Sequence, residues 1–226
     1  MSGKLVHLQS PKLSSKGNLW KKTSIVTVLI SLFCVSPALA HHPLGGEIPS
    51  NFVEGLLSGL GHPVIGFDHL AFVVASGLIA VSVSGGLIIP FAFVVATAIG
   101  AGIHLQAIDL PLPEIIIAAS VLLFGLLLVV RKKEKDLNYS LIISLLAAIA
   151  GIFHGHAYGE GIFGAETTPL VAYLIGFVII QFAIALMVKL GATQIIKTVP
   201  LRYLTRFAGF AIASVGMVFL SSAITG

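Results

Sequence analysis

Residues 62–69 read HPVIGFDH and stand at the start of a long apolar segment of the chain. An ionisable side chain at membrane depth is costly, so the two histidines and the aspartate of this stretch suggest a function. A second polar stretch, HGHAYGE, occupies residues 154–160 at the end of another apolar segment. Whether these two stretches meet in the folded chain decides which site the chain can build.

The composition is that of an integral membrane protein. Of the 226 residues, 57% are hydrophobic and only 10% are charged, with a mean hydropathy of +1.05; soluble domains carry about 25% charged residues. The net charge of +4 does not indicate nucleic-acid binding, because the basic residues lie near the start and in short clusters. The single cysteine, Cys34, precedes a predicted cleavage site, so the mature chain would have no disulfide and no thiolate ligand.

Residues 1–40 are predicted to be a cleavable signal peptide, because five lysines precede a short apolar run and an A-x-A site ends at Ala40. An uncleaved anchor helix is the alternative. Cleavage would expose His41 and His42, which together with the new amino terminus could bind a transition metal. A disordered polar leader is the other interpretation. Residues 41–61 would form this periplasmic leader, with an amphipathic lead-in over 49–61.

The remaining residues, 62–226, are predicted to form one all-α domain of six transmembrane helices. Each span approaches the length of about 20 residues that a bilayer requires, with approximate limits 63–83, 87–106, 112–130, 139–157, 168–189 and 204–223. Basic clusters follow the third and the fifth spans, and the positive-inside rule places both in the cytoplasm. The mature amino terminus then lies in the periplasm, as signal-peptide cleavage also requires.

This topology gathers the ionisable side chains of the spans at the periplasmic face. The candidate ligands from the spans are His62, Asp68, His69, His104, His154, His156, Glu160 and Glu166. A single histidine would more often be a hydrogen-bonded residue between helices, but so many on one face favour a metal site or a proton site. Imidazole and carboxylate ligands suit Ni(II), Co(II) or Zn(II).

Helix geometry limits what the first span can do. On a straight helix His62 and His69 would lie about 10 Å apart. They could then hold one ion together only if the helix breaks, which Pro63 and Gly66 would allow. Successive capture sites along the span are the simpler interpretation, with Asp68 acting as a ligand or orienting a neighbouring histidine.

The end of the fourth span has its own geometry. His156 and Glu160 can share one helix face, and His154 would then point elsewhere. Glycines 151, 155 and 159 recur every four residues. Such a stripe allows close helix contact and could bring the fourth span against the first.

Motifs for catalysis are absent from the sequence. It contains no H-E-x-x-H, no G-x-S-x-G and no P-loop. The chain is therefore not predicted to be an enzyme, and no permanent cofactor is expected.

The two polar stretches resemble the signatures of the HupE/UreJ family of nickel and cobalt permeases. Residues 62–69 match H-P-x-x-G-x-D-H in full, and residues 153–160 are similar to F-H-G-x-A-x-G-x-E. In the common form a histidine stands at the position of Tyr158 and the glutamate at that of Gly161, whereas this chain has His156 and Glu160. In this respect the chain resembles the cyanobacterial branch, and the resemblance covers essentially the whole mature chain.

The resemblance implies a secondary permease that takes up a divalent metal ion, most often Ni(II), from the periplasm through the bacterial inner membrane. A cobalt or zinc permease is the near alternative, and a non-transporting metal sensor or accessory protein is the competing class. The expected partners are the metal ion and the lipid bilayer, and no nucleic acid. A homo-oligomer and an indirect link to hydrogenase or urease maturation are compatible with the sequence.

Overall fold

The computed structural model describes residues 47–130 and 136–225. The predicted signal peptide, His41, His42 and the basic cluster at 131–135 lie outside these residues. The described part of the chain contains seven α-helices and no strand: α1 Phe52–Ile65, α2 Phe67–Ile79, α3 Ile88–His104, α4 Pro113–Val130, α5 Leu137–Glu160, α6 Thr167–Ile195 and α7 Leu201–Thr225. The predicted all-α fold is confirmed.

The long apolar helices make the chain a multi-pass membrane protein. By length and composition α4, α5, α6 and α7 can each cross a membrane, and α1 with α2 would form a fifth span. Helix α3 has 17 residues and is shorter than the roughly 20 that a bilayer requires. The described residues therefore hold four or five candidate spans, and the set of six stays a prediction.

The first span is broken, so the prediction of a continuous helix over 63–83 is wrong. Helix α1 runs through most of the predicted lead-in and ends at Ile65, and α2 begins at Phe67 at an angle of 78° to it. Gly66 between them has an extended backbone, with φ −72° and ψ 101°. Pro63 lies in the last turn of α1 and has no backbone N–H to donate, which weakens the helix at this point.

Helix α2 is the centre of the bundle. Ten of its 13 residues are buried, and it packs against α1, α3, α4, α6 and α7. Around it the helices form three close pairs, α1 with α6, α3 with α5 and α4 with α7. Glycines lie at all three contacts, where an added Cβ would meet the backbone of the facing helix; examples are Gly59, Gly100 and Gly125.

The glycine stripe of α5 faces α3, so the prediction that it packs against the first span is wrong. A Cβ on Gly151 or Gly155 would collide with the backbone of α3, and one on Gly159 would collide with the side chain of His104. Helix α3 is therefore the close neighbour of α5. The stripe nevertheless determines the site, because it brings His104 next to the end of α5.

The bundle has two chemically different ends. One end, called the histidine end, contains all the histidines of the described residues: His62, His69, His104, His154 and His156. The opposite end, called the basic end, contains Lys189, Lys197, Arg202 and Arg206. The predicted gathering of histidines at one end is thus present in the structure.

Candidate metal centre

His62, in the last turn of α1, is held by a hydrogen-bond chain that sets its tautomer. The residue is 1% exposed, and its Nδ1 lies 2.6 Å from the hydroxyl oxygen of Tyr173 in α6. That hydroxyl donates its proton to the carbonyl oxygen of Tyr158, 2.8 Å away. It must therefore accept from Nδ1, so the neutral ring carries its proton on Nδ1 and its lone pair on Nε2.

His69, at the start of α2, is held by a second chain of the same kind. The Ser120 hydroxyl donates to the carbonyl oxygen of Ile117 at 2.7 Å and so accepts from Nε2 of His154 at 3.0 Å. Nδ1 of His154 is then the acceptor for Nδ1–H of His69, 2.7 Å away. His69 consequently also carries its lone pair on Nε2, which is the atom that neutral histidines commonly offer to metals.

The break at Gly66 brings the two imidazoles into one buried site. The ring centroids of His62 and His69 lie 6.0 Å apart, so the separation expected of a straight helix does not apply. The Tyr158 ring lies against both, with centroid distances of 5.0 Å to His62 and 4.5 Å to His69. The Tyr158 hydroxyl is buried and has no hydrogen-bond partner among the described residues. We call His62 and His69 the buried histidine pair.

A cavity of about 180 Å³ at the histidine end of the bundle reaches His69 of this pair. Its polar lining consists of Asp68, His69, Glu114, Glu160 and Ser222. Asp68 is 6% exposed and accepts the backbone N–H of His69 at 2.8 Å, whereas Glu114 and Glu160 are exposed. A passage lined by carboxylates attracts cations and leads them toward the buried pair.

His104, His156 and Glu160 form a separate group, here called the outer triad. One ligand atom from each lies within 4.8 Å of the others. His104 is half-buried, His156 is 3% exposed and Glu160 is exposed. The structure thus divides the candidate ligands of α5 between two places, because His154 points to α2 and His156 points to α3.

An aromatic layer closes the buried site toward the basic end. Phe72 stacks on Phe93 and lies at a tilt against Phe124, with centroid distances of 4.4 Å in each case, and the three rings are buried. The His154 ring lies 4.9 Å from Phe72 and 5.3 Å from Phe93. Polar groups of the site therefore end at this layer.

The sequence profile of the HupE / UreJ protein family matches residues 28–219. The chain belongs to the HupE/UreJ family. Protein HupE from Rhizobium leguminosarum bv. viciae is similar to it, with 29% identity over 202 residues that cover 88% of this chain and 98% of that protein. No solved structure matches the chain. The HupE/UreJ family is associated with nickel and cobalt transport rather than with catalysis.

In this HupE/UreJ chain Glu166 is the one remaining candidate ligand among the described residues, and it lies apart from both groups. Glu166 is exposed, immediately before α6, and belongs to no metal-ligating group of the described residues. His41 and His42 lie outside the described residues. Their assignment as ligands stays a prediction.

Sequence reasoning missed the residues that hold the ligands in place. Tyr173 and Ser120 lie in apolar helices far along the chain from the histidines that they contact. Glu114 was not among the candidate ligands, although it lies in the first turn of α4 and lines the cavity. Glu114 directly precedes an apolar run at the histidine end, and this position could have indicated that it belongs to the site.

Proposed function

We propose that the chain is a secondary permease that takes up a divalent transition-metal ion, Ni(II) first of all, from the periplasm into the cytoplasm. The observation that carries this proposal is the buried histidine pair, of which His69 lines a cavity together with three carboxylates. Both imidazoles offer Nε2 and are held through Nδ1, which is the usual arrangement of metal-binding histidines. Nitrogen and carboxylate ligands fit Ni(II), with Co(II) and Zn(II) as near neighbours.

The ligand roles follow from the hydrogen bonds. His62 and His69 act as ligands through Nε2, and Asp68 supplies a carboxylate beside them. His154 and Tyr173 are positioning residues, because each engages the Nδ1 atom of a ligand and fixes its ring. This assignment separates His154 from the ligands with which the sequence grouped it.

The charge distribution supports inward transport. Four basic residues of the described chain lie toward one end, and the positive-inside rule assigns that end to the cytoplasm of a bacterial inner membrane. The histidine end then faces the periplasm. A potential that is negative inside favours inward movement of a cation by about 2.3 kcal/mol per charge for each 100 mV, so uptake of a divalent ion needs no ATPase.

The aromatic layer supports an outward-facing stage of this transport. The cavity reaches His69 from the histidine end, while Phe72, Phe93 and Phe124 close the other side. Release into the cytoplasm then requires these rings to part, in the manner of alternating access.

Radiolabelled nickel uptake into cells without other nickel importers tests the proposal. We expect the chain to confer uptake that Co(II) competes for, and Asp68→Asn to remove it. Glu47→Gln is the matched control, because Glu47 is an exposed carboxylate before α1 that lines neither group. A purified chain that binds nickel but confers no uptake would overturn the permease and favour a sensor or accessory protein.

Tyr158→His is expected to strengthen nickel binding. The common form of the family signature has a histidine here, and the Tyr158 ring lies against both members of the buried pair. The change would add a third imidazole while leaving the backbone carbonyl that anchors Tyr173. We expect at least about tenfold tighter Ni(II) binding, or about 1.4 kcal/mol. Equilibrium dialysis measures it.

Tyr158→Phe tests whether the phenol oxygen of Tyr158 itself binds the metal ion. It keeps the ring contacts and removes only the buried hydroxyl, so a loss of affinity would identify the phenol oxygen as a ligand. Unchanged nickel affinity in Tyr158→His would contradict the proposed position of the ion beside this ring.

A further inference from the structure

We propose that the outer triad, together with the backbone carbonyl of Ile108, is a second metal site that binds Ni(II) or Co(II) before the buried pair receives it. His104 belongs to neither family signature in the sequence. The direction of transfer rests on the proposed function, but binding at the outer triad can be measured without any transport. The site would serve to collect the ion from dilute solution.

The donor atoms lie at the spacing of ligands around one ion. Nδ1 of His104 and Nε2 of His156 are 3.3 Å apart, and the Ile108 carbonyl oxygen is 3.0 Å from the same Nε2. Neighbouring ligands with metal bonds of about 2.0–2.1 Å are separated by roughly 2.9–3.4 Å. Glu160 adds a carboxylate oxygen within 4.8 Å of both histidine ligand atoms. Two nitrogens and two oxygens suit a divalent first-row metal.

The hydrogen bond of His156 shows which of its ring nitrogens faces the other donor atoms of the triad. The Ile108 carbonyl can only accept, so Nε2 of His156 carries the proton in the metal-free structure. Nδ1 of the same ring is buried and has no hydrogen-bond partner among the described residues. A metal ion at Nε2 would displace this proton to Nδ1, so the ring can act as a neutral ligand through Nε2.

The loop that carries Ile108 is strained in a way that suits this role. Ala107 has φ +55°, a left-handed conformation that is unfavourable for a residue with a Cβ. It directly precedes Ile108 and helps to turn that carbonyl toward His156. Strained backbone of this kind persists where the surrounding structure imposes it, and it is concentrated at ligand-binding positions.

Glu160 connects the outer triad with the buried pair. Its carboxylate belongs to the triad and also lines the cavity that contains Asp68 and His69. An ion held by His104, His156 and Glu160 can therefore pass along one cavity from carboxylate to carboxylate. The partial exposure of His104 and the exposure of Glu160 leave the triad accessible from the histidine end.

Metal stoichiometry of the purified full-length protein tests this second site. With Ni(II) in equilibrium dialysis and Co(II) as an absorption probe, we expect two ions per chain in the unaltered protein. His104→Ala and Glu160→Gln should each lower the affinity for one of these ions at least about tenfold, since even the loss of an outer-shell partner lowers metal affinity about 10–100-fold. His62→Ala should remove the other ion. Gln106→Ala is the matched control, because the exposed Gln106 side chain lies close to His104 in the chain and donates to the Gly102 carbonyl rather than to the triad.

Gly159→Ala provides an independent variant that keeps every ligand. An added Cβ would lie 2.6 Å from the Cβ of His104. It should displace that ring and lower the affinity of the outer triad for its ion. Gly102→Ala on α3 meets no atom within 4 Å and should leave it unchanged. Transport gives a further readout, since losing a collecting site should raise the half-saturating nickel concentration and leave the maximal rate unaltered.

The outcomes separate the two proposals. A single ion per chain, removed by His62→Ala and unaffected by His104→Ala, would overturn the outer site and leave the permease standing. Two ions with unchanged affinity in His104→Ala and Glu160→Gln would also overturn it. If the protein binds two ions, His104→Ala lowers the affinity for one of them and the unaltered protein confers no uptake, the outer site would be supported and the permease overturned.

Discussion

His62→Ala is expected to abolish nickel uptake while the chain still inserts and folds. The change removes one of the two Nε2 atoms that we propose as ligands, and no other described histidine contacts the Tyr173 hydroxyl in its place. Loss of an outer-shell partner alone costs about 10–100-fold in metal affinity, so loss of a ligand should cost more than that. Radiolabelled uptake at low nickel concentration, with size-exclusion profiles of the purified protein, measures both parts.

Tyr173→Phe is expected to have a smaller effect than His62→Ala, because it keeps the His62 imidazole. It keeps the ring that packs against Phe177 at a centroid distance of 5.7 Å and removes only the hydroxyl that accepts from His62. Freed from this contact, the His62 ring can rotate or change its tautomer, and we expect a loss of about 10–100-fold in nickel affinity. Full uptake by His62→Ala would refute the buried pair as the transport site.

Gly66→Ala is expected to remove uptake by moving His69, although the backbone of Gly66 suits alanine. Its φ of −72° is ordinary for any residue, so the change should cause no strain in the backbone itself. The new Cβ would lie 2.6 Å from Cδ2 of His69. The ring must turn away, and the 2.7 Å contact between His69 and His154 would then be lost.

Gly102→Ala controls for the general effect of adding a methyl group to a glycine in this bundle. Nothing lies within 4 Å of its added Cβ, and alanine stabilises a helix interior by about 0.5–1 kcal/mol relative to glycine. We expect normal uptake and equal or higher thermal stability. Uptake in Gly66→Ala equal to that in Gly102→Ala would show that the position of His69 does not limit transport.

The sequence predicted the helical class and the end at which the histidines gather, because both depend on local composition. Apolar runs of sufficient length gave the helices α4 to α7 close to their observed limits. It could not predict the break in the first span, since Pro63 and Gly66 permit one without requiring it. The same apolar pattern continues on both sides of Gly66.

The contacts that form the site could not be predicted from local sequence patterns, because they join residues far apart in the chain. His62 meets Tyr173 across 111 positions, and His69 meets His154 across 85. A glycine stripe shows that some helix approaches closely but does not identify it, and here the neighbour is α3. As a result His104 contacts His156, whereas His154 contacts His69 in the first span.

The break at Gly66 also shapes the electric field at the buried pair. Helix α1 ends and α2 begins next to His62 and His69, so two helix termini with opposite partial charges, each about half an elementary charge, meet there. The carbonyl end of α1 attracts a cation, and Asp68 in the first turn of α2 offsets the amide end that would repel it. The interrupted span therefore favours positive charge beside the buried pair, although Asp68 is the only buried carboxylate of the described residues.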